Sequence, residues 1–135
     1  MLLEVIAAIA VVALGLTAFA SGIPVAALAV NEGAQLSTAT FLAAARMEEI
    51  RGLGWRDGSV PSGLSFPDEA ALPDPYSRYA RQVRMVDCGM APGCGAVTSP
   101  FLRQITVTVA YRPVTALGVA SASKTVSLTT LAAQR

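Results

Sequence analysis

Residues 5–30 contain no formal charge and read VIAAIAVVALGLTAFASGIPVAALAV. As an α-helix, which rises about 1.5 Å per residue, this segment would be about 39 Å long, more than the hydrocarbon core of a bilayer at about 30 Å. Its first turns carry apolar residues on all sides, so the helix has no polar face to turn toward water. We therefore expect lipid or other protein to surround it.

The charged residues divide the chain into two parts. They make up 14% of the 135 residues, against roughly 25% in a typical soluble chain. Glu4 is the only charged residue before Glu32, and every basic residue lies at or after Arg46. We predict a helical part at 1–51, with a hydrophobic half at 1–30 and an amphipathic half at 31–51, followed by a globular domain at 52–135.

The composition gives no support to several classes of function. The net charge is +1 and no basic run occurs, so nucleic-acid binding is not indicated. Histidine is absent, which excludes histidine catalysis and the usual Cys/His zinc sites. The acidic residues after the helix are scattered in turn contexts: Asp57, Asp68, Glu69, Asp74 and Asp87. We expect no enzyme activity, no metal site and no cofactor.

The apolar segment has three ordinary explanations. A secretory signal peptide would account for it, and residues 18–20 (Ala-Phe-Ala) look like a cleavage site, but the basic start is missing. A simple membrane anchor fits better, although it does not explain Glu4. A buried core helix is disfavoured because the rest of the chain is too short to wrap around it.

Glu4 is the informative residue of this segment. A carboxylate in apolar surroundings costs several kcal/mol unless a positive group pairs with it, and charges inside membranes are usually functional. The local cation is the terminal amine of Met1. We expect the terminus of a neighbouring copy to be the partner of Glu4 in an assembly.

The start MLLEVI, followed by an apolar helix, resembles the mature start of type IV pilins and of the related pseudopilins of type II secretion. The resemblance implies removal of a leader by a prepilin peptidase, methylation of the new terminus at Met1, and assembly guided by Glu4. In that family the glutamate is fifth, whereas here it is fourth. Either one mature residue precedes Met1 or the spacing differs, and we expect the former.

The resemblance also implies partners and a location. The chain would wait in the bacterial inner membrane and be polymerised by an assembly platform with identical subunits and related minor pilins. It would then form an extracellular type IV pilus filament on the cell surface. Two alternatives stay open: a pseudopilin of a type II secretion system, and a single-pass anchored binding domain that never polymerises.

Gly15, Gly22 and Pro24 lie inside the apolar segment. Proline removes a helical hydrogen bond, and glycine costs about 1 kcal/mol relative to alanine. We therefore expect the helix to be weakest between residues 15 and 24. This weakness produces either a simple kink or, as the family resemblance implies, a stretch that melts locally when the subunit packs into a filament.

The amphipathic half of the helix should pack on a sheet. Its predicted apolar face is Leu36, Thr40, Ala43, Met47 and Ile50. Glu32, Gln35 and Glu49 are expected to face water. The glycines at 52 and 54 predict that the helix ends near residue 51.

The remaining residues predict a loop and three strands. Residues 52–77 are rich in Gly and Pro and favour a long ordered loop, attached to the body by Trp55, Leu64 and Phe66. Residues 79–87, 102–112 and 124–131 have strand composition. Ile105, Val107, Val109 and Tyr111 would face the helix. The prediction is an α+β fold in which a long amino-terminal helix packs on a small antiparallel sheet.

Cys88 and Cys94 enclose the turn sequence Gly-Met-Ala-Pro-Gly. A surface domain would oxidise them readily, so we predict a disulfide. The alternative is a pair of free thiols in a reducing compartment.

Overall fold

The computed structural model describes residues 2–53, 66–89, 94–95, 97–115, 118–119 and 122–133. It contains one helix, α1 (Leu2–Gly52), and five strands. The strands are β1 (Tyr79–Asp87), β2 (Leu102–Tyr111), β3 (Val114–Thr115), β4 (Gly118–Val119) and β5 (Lys124–Ala133). The predicted α+β class is confirmed. The helix ends one residue beyond the predicted position.

The main sheet is antiparallel, with strand order β1-β2-β5. Its register gives it two distinct ends. At one end Tyr79, Tyr111 and Lys124 are aligned across the three strands, and we call this the junction end. At the far end Asp87 is aligned with Arg103. The three predicted strands all occur, whereas the short β3–β4 hairpin was not predicted because two-residue strands show no period.

The core lies between β2 and the carboxyl-terminal half of α1. Ile105, Val107 and Val109 are completely buried, as the alternation of apolar and polar residues in β2 predicted. Ala39 and Ala43 of the helix are also completely buried, and their small side chains allow the helix to approach the sheet closely. On the opposite face of the sheet, hydroxyl groups pair across β2 and β5: Thr106 with Thr129 and Thr108 with Ser127.

The predicted apolar face of the helix is partly wrong. Ala43, Met47 and Ile50 are buried as expected, but Leu36 and Thr40 are exposed. Ala39 and Leu42 occupy the sheet-facing positions instead. Ala39 and Thr40 both have a helical spacing to Ala43, Met47 and Ile50, so the spacing alone did not show which of the two faces the sheet.

The described part of the loop packs on the core at two points. Phe66 is half-buried, and the guanidinium of Arg46 lies 5.0 Å from the centre of its ring. Leu72 belongs to the core. The predicted contact of Phe66 with the body is confirmed, whereas Trp55 and Leu64 lie outside the described residues.

Cys88 and Cys94 form the predicted disulfide. Both are buried, and the bridge closes the connection between β1 and β2 at the far end of the sheet. The alternative of two free thiols is therefore wrong for this structure.

Candidate functional site: the apolar stem and its junction with the sheet

We define residues 2–30 of α1 as the apolar stem. Every side chain in it is exposed except Leu28, which is half-buried. Leu2 and Leu3 are more than 80% exposed, and Phe19 is 71% exposed. The sheet packs on the later part of α1, so the described chain leaves the apolar surface before Leu28 uncovered.

The apolar stem also meets the length and composition of a membrane span. Among the described residues, one helix is long and apolar enough to cross a membrane, and it is α1. No residue of its most apolar 18-residue window is buried. A helix of this kind at the amino-terminal end can serve as a membrane anchor or as a signal sequence.

Glu4 lies in the first turn of the apolar stem. It makes no ion pair or hydrogen bond with any residue that the structure describes. Met1, the other residue predicted to act in assembly, lies outside the described residues. The carboxylate is therefore unpaired within the described chain, and its pairing with the terminus of a neighbouring copy stays a prediction.

Gly15, Gly22 and Pro24 all lie within the continuous helix α1. A Cβ atom added at Gly15 or at Gly22 would meet no atom within 4 Å. The packing of this chain therefore gives no steric reason for either glycine. Their reason must be sought in backbone freedom or in contact with other molecules.

Polar side chains join the helix to the sheet immediately after the apolar stem. The Asn31 amide donates to the Val114 carbonyl at 2.9 Å, and Gln35 both donates to that carbonyl at 3.2 Å and accepts from the Val114 amide at 3.0 Å. The Gln35 side chain therefore hydrogen-bonds both backbone groups of Val114, as the backbone of a neighbouring strand would. The expectation that Gln35 faces water was wrong because its amide satisfies the backbone of β3.

A salt bridge closes the same region. Glu32 pairs with Lys124, the first residue of β5, and this hydrogen bond raises the pKa of the Lys124 ammonium group. We call Asn31, Glu32, Gln35, Val114 and Lys124 the stem junction. The composition of the helix gave no signal for it, since the partners are about 80–90 positions apart in the chain.

Two arginines lie beside the stem junction. Arg78 precedes Tyr79 and Arg112 follows Tyr111, so the register of β1 and β2 brings both to the junction end of the sheet. Both are exposed, and both line two neighbouring cavities of about 500 and about 430 Å³. Neither forms an ion pair with a residue in the described ranges. Sequence reasoning did not single them out.

Tyr111 lies in the wall of both cavities. It is 3% exposed, and its hydroxyl has no hydrogen-bond partner within the described structure. Tyr79 stacks beside it with ring centres 5.6 Å apart, and the Tyr79 hydroxyl donates to the Gln35 carbonyl at 3.4 Å. The two rings therefore differ in one respect, the satisfaction of the hydroxyl.

Two acidic residues of the loop, Asp68 and Glu69, have structural partners. Asp68 binds Arg84 at 2.8 Å, and Glu69 binds Arg81 at 2.6 Å, so the loop is attached along β1. Hydrogen bonds from these arginines lower the pKa of both carboxyl groups. Asp57 lies outside the described residues. In the described ranges, no group of three acidic or thiol side chains is placed to hold a metal ion.

Comparison of the chain with known protein families, with curated proteins and with solved structures found no match. The architecture nevertheless has three defined features: a long apolar amino-terminal helix, a small antiparallel sheet on its second half, and a disulfide. This combination is compatible with a pilin-like fold.

Proposed function

We propose that the chain is a structural subunit of a type IV pilus filament and polymerises through its apolar stem. The observation that carries this proposal is the uncovered stem with a single charged residue near its tip. Glu4 has no partner in the described chain, and the apolar side chains around it face outward. A stack of identical stems supplies both missing elements: apolar neighbours, and the terminal amine of the next copy.

The apolar stem has a large driving force to leave water. Thirteen of its large apolar side chains, from Leu2 to Val30, are at least 57% exposed. Burying each of them fully is worth about 1.5–3 kcal/mol. Lipid provides this burial for a single subunit, and neighbouring stems provide it in a filament. The stem can therefore pass from membrane to filament without meeting water.

The sheet domain would form the outside of this filament. Its outer face carries hydroxyl pairs between β2 and β5, which suits contact with water. The precursor would be held in the bacterial inner membrane, processed by a prepilin peptidase and added by an assembly platform to identical subunits and related minor pilins. Gly15, Gly22 and Pro24 would allow the stem to loosen locally as it packs.

The pseudopilin and the anchored binding domain remain the alternatives. A pseudopilin would use the same stem and the same carboxylate, but its filament would stay short and inside the cell envelope. An anchored domain would use the stem for membrane residence alone, so it would not need Glu4.

The first prediction concerns Glu4→Ala and Glu4→Leu in cells that assemble the chain. We expect both variants to reach the membrane at normal levels, because the apolar stem is unchanged or extended. Filament protein sheared from the cell surface should fall at least tenfold, because a carboxylate that pairs with a neighbour's amine is lost. Quantitative immunoblots of sheared and membrane fractions measure both quantities.

Glu48→Ala is the matched control, since Glu48 is an exposed acid at the opposite end of α1. It should leave filament recovery unchanged. Normal recovery from the Glu4 variants would remove the assembly role of this residue and favour the anchored domain. Filament protein found only in the periplasmic fraction of unmodified cells would favour the pseudopilin.

A further inference from the structure

The junction end of the sheet has a fixed position relative to the apolar stem. Asn31 of α1 donates a hydrogen bond to Val114 of β3, directly after the uncharged residues 5–30. These residues span about 39 Å as a helix, against about 30 Å for the hydrocarbon core and about 40–45 Å for a bilayer with its headgroups. With the stem in a membrane, the junction end therefore lies at the level of the lipid headgroups. This placement rests on the proposed function, in which the precursor is held in the inner membrane before assembly.

Three strands bring basic residues to this level. Arg78 directly precedes β1, Arg112 directly follows β2 and Lys124 begins β5, and the alignment of Tyr79, Tyr111 and Lys124 brings all three basic residues to the junction end. Lys124 is neutralised by Glu32. The two arginines keep their positive charge without a carboxylate partner among the described residues. Asp74, the acidic residue in the turn before Arg78, makes no ion pair with either of them in the described structure.

The two cavities beside the arginines have a volume and a lining that suit part of a phospholipid. The larger one, about 500 Å³, is lined by Arg78 and Arg112 together with the amides Asn31 and Gln35 of the stem junction. The smaller one, about 430 Å³, has an apolar floor of Ala70, Ala80 and Ala110. Guanidinium groups bind phosphate through two parallel hydrogen bonds, and basic residues next to a span attract anionic lipids.

We propose that Arg78 and Arg112 bind the phosphate group of an anionic phospholipid while the subunit is held in the membrane. Charge complementarity carries the choice of an anionic over a zwitterionic lipid. The contact would fix the height and the rotation of the sheet above the bilayer, because the arginines flank Tyr79 and Tyr111, which are paired across β1 and β2.

The test uses the full chain in neutral detergent and native mass spectrometry. Dioleoylphosphatidylglycerol and dioleoylphosphatidylcholine are added at equal concentration, and the retained lipid is counted for each protein. The wild-type chain should retain at least fivefold more of the anionic lipid. Each of the single variants Arg78→Gln and Arg112→Gln should lower the ratio of retained anionic to retained zwitterionic lipid by about fivefold, to a value near one. The double variant should bring this ratio to one.

The control is the double variant Arg51→Gln/Arg84→Gln, which removes the same charge away from the junction end of the sheet. It should keep the wild-type ratio. Equal retention of both lipids by the wild-type chain would overturn the proposal, as would an equal loss of preference in the control. A loss of filament yield in the Arg78/Arg112 double variant without any lipid preference in the wild type would also overturn it and assign the arginines to a neighbouring subunit.

Failure of the proposed function gives a different result. A flotation experiment with lipid vesicles tests the proposed membrane residence separately. If the wild-type chain does not float with the vesicles, the proposal that it resides in a membrane before assembly is wrong. If the chain floats but retains both lipids equally, only the lipid contact is wrong.

Discussion

Tyr79 and Tyr111 are neighbours across β1 and β2, yet only Tyr79 has a partner for its hydroxyl within the described structure. An unpaired buried hydroxyl gives up its hydrogen bonds to water and gains none in return, which costs about 1–3 kcal/mol. The ring of Tyr111 stabilises the core, whereas its unpaired hydroxyl lowers the free energy of unfolding.

We therefore predict that Tyr111→Phe raises the free energy of unfolding by about 1 kcal/mol, because it keeps the ring and removes the unpaired hydroxyl. Urea unfolding followed by near-ultraviolet circular dichroism, in neutral detergent, measures the change. Tyr79→Phe is the control and should lower the free energy of unfolding, since it removes a hydroxyl with a partner. A destabilised Tyr111→Phe would show that the hydroxyl has a partner.

Single residues also show where the sequence was sufficient and where it was not. The inward direction of Ile105, Val107 and Val109 followed from alternation along one strand, which is a local property. The roles of Gln35 and Lys124 depend on partners far away in the chain, and no local pattern contains that information. Arg78 and Arg112 become neighbours only through the register of two strands.

At the level of elements, long periodic segments were predictable and short ones were not. The helix end and the three strands of the main sheet lie within two residues of their predicted bounds. The β3–β4 hairpin has strands of two residues, which is too short for a period of two to be recognised. Its pairing with Gln35 is what holds it on the helix.

The disulfide stabilises the connection between β1 and β2. Closing a loop this short should contribute about 2–3 kcal/mol through the entropy of the unfolded chain. We predict that the double variant Cys88→Ser/Cys94→Ser loses this amount of unfolding free energy in urea titrations. Addition of a reductant should lower the stability of the wild-type chain and leave that of the double variant unchanged. Equal sensitivity of both proteins to the reductant would contradict the prediction.

For the whole molecule, the uneven distribution of charge predicted the division into an apolar and a globular part. In the structure, the core begins at Ala39, and no residue of the most apolar 18-residue window of α1 is buried. The function is harder to infer from one chain than the fold is. Among the described residues, no group pairs with Glu4 and none covers the apolar stem before Leu28.

Removal of residues 1–30 should therefore leave the core intact. We predict that residues 31–135 form a soluble, folded monomer with the disulfide present, because no described residue of the deleted segment belongs to the core cluster and the stem junction is retained. Size-exclusion chromatography and circular dichroism check this, with the full chain in detergent as the reference. Aggregation or loss of the sheet signal in the fragment would show that the stem also supports the fold.

The same helix forms the apolar stem and one wall of the core, with no linker between them. Tension applied to the sheet domain would therefore pass along continuous backbone hydrogen bonds into the stem. The mechanical weak point on this path is Pro24, where the helix lacks one of those bonds. A chain under such tension would lengthen there first.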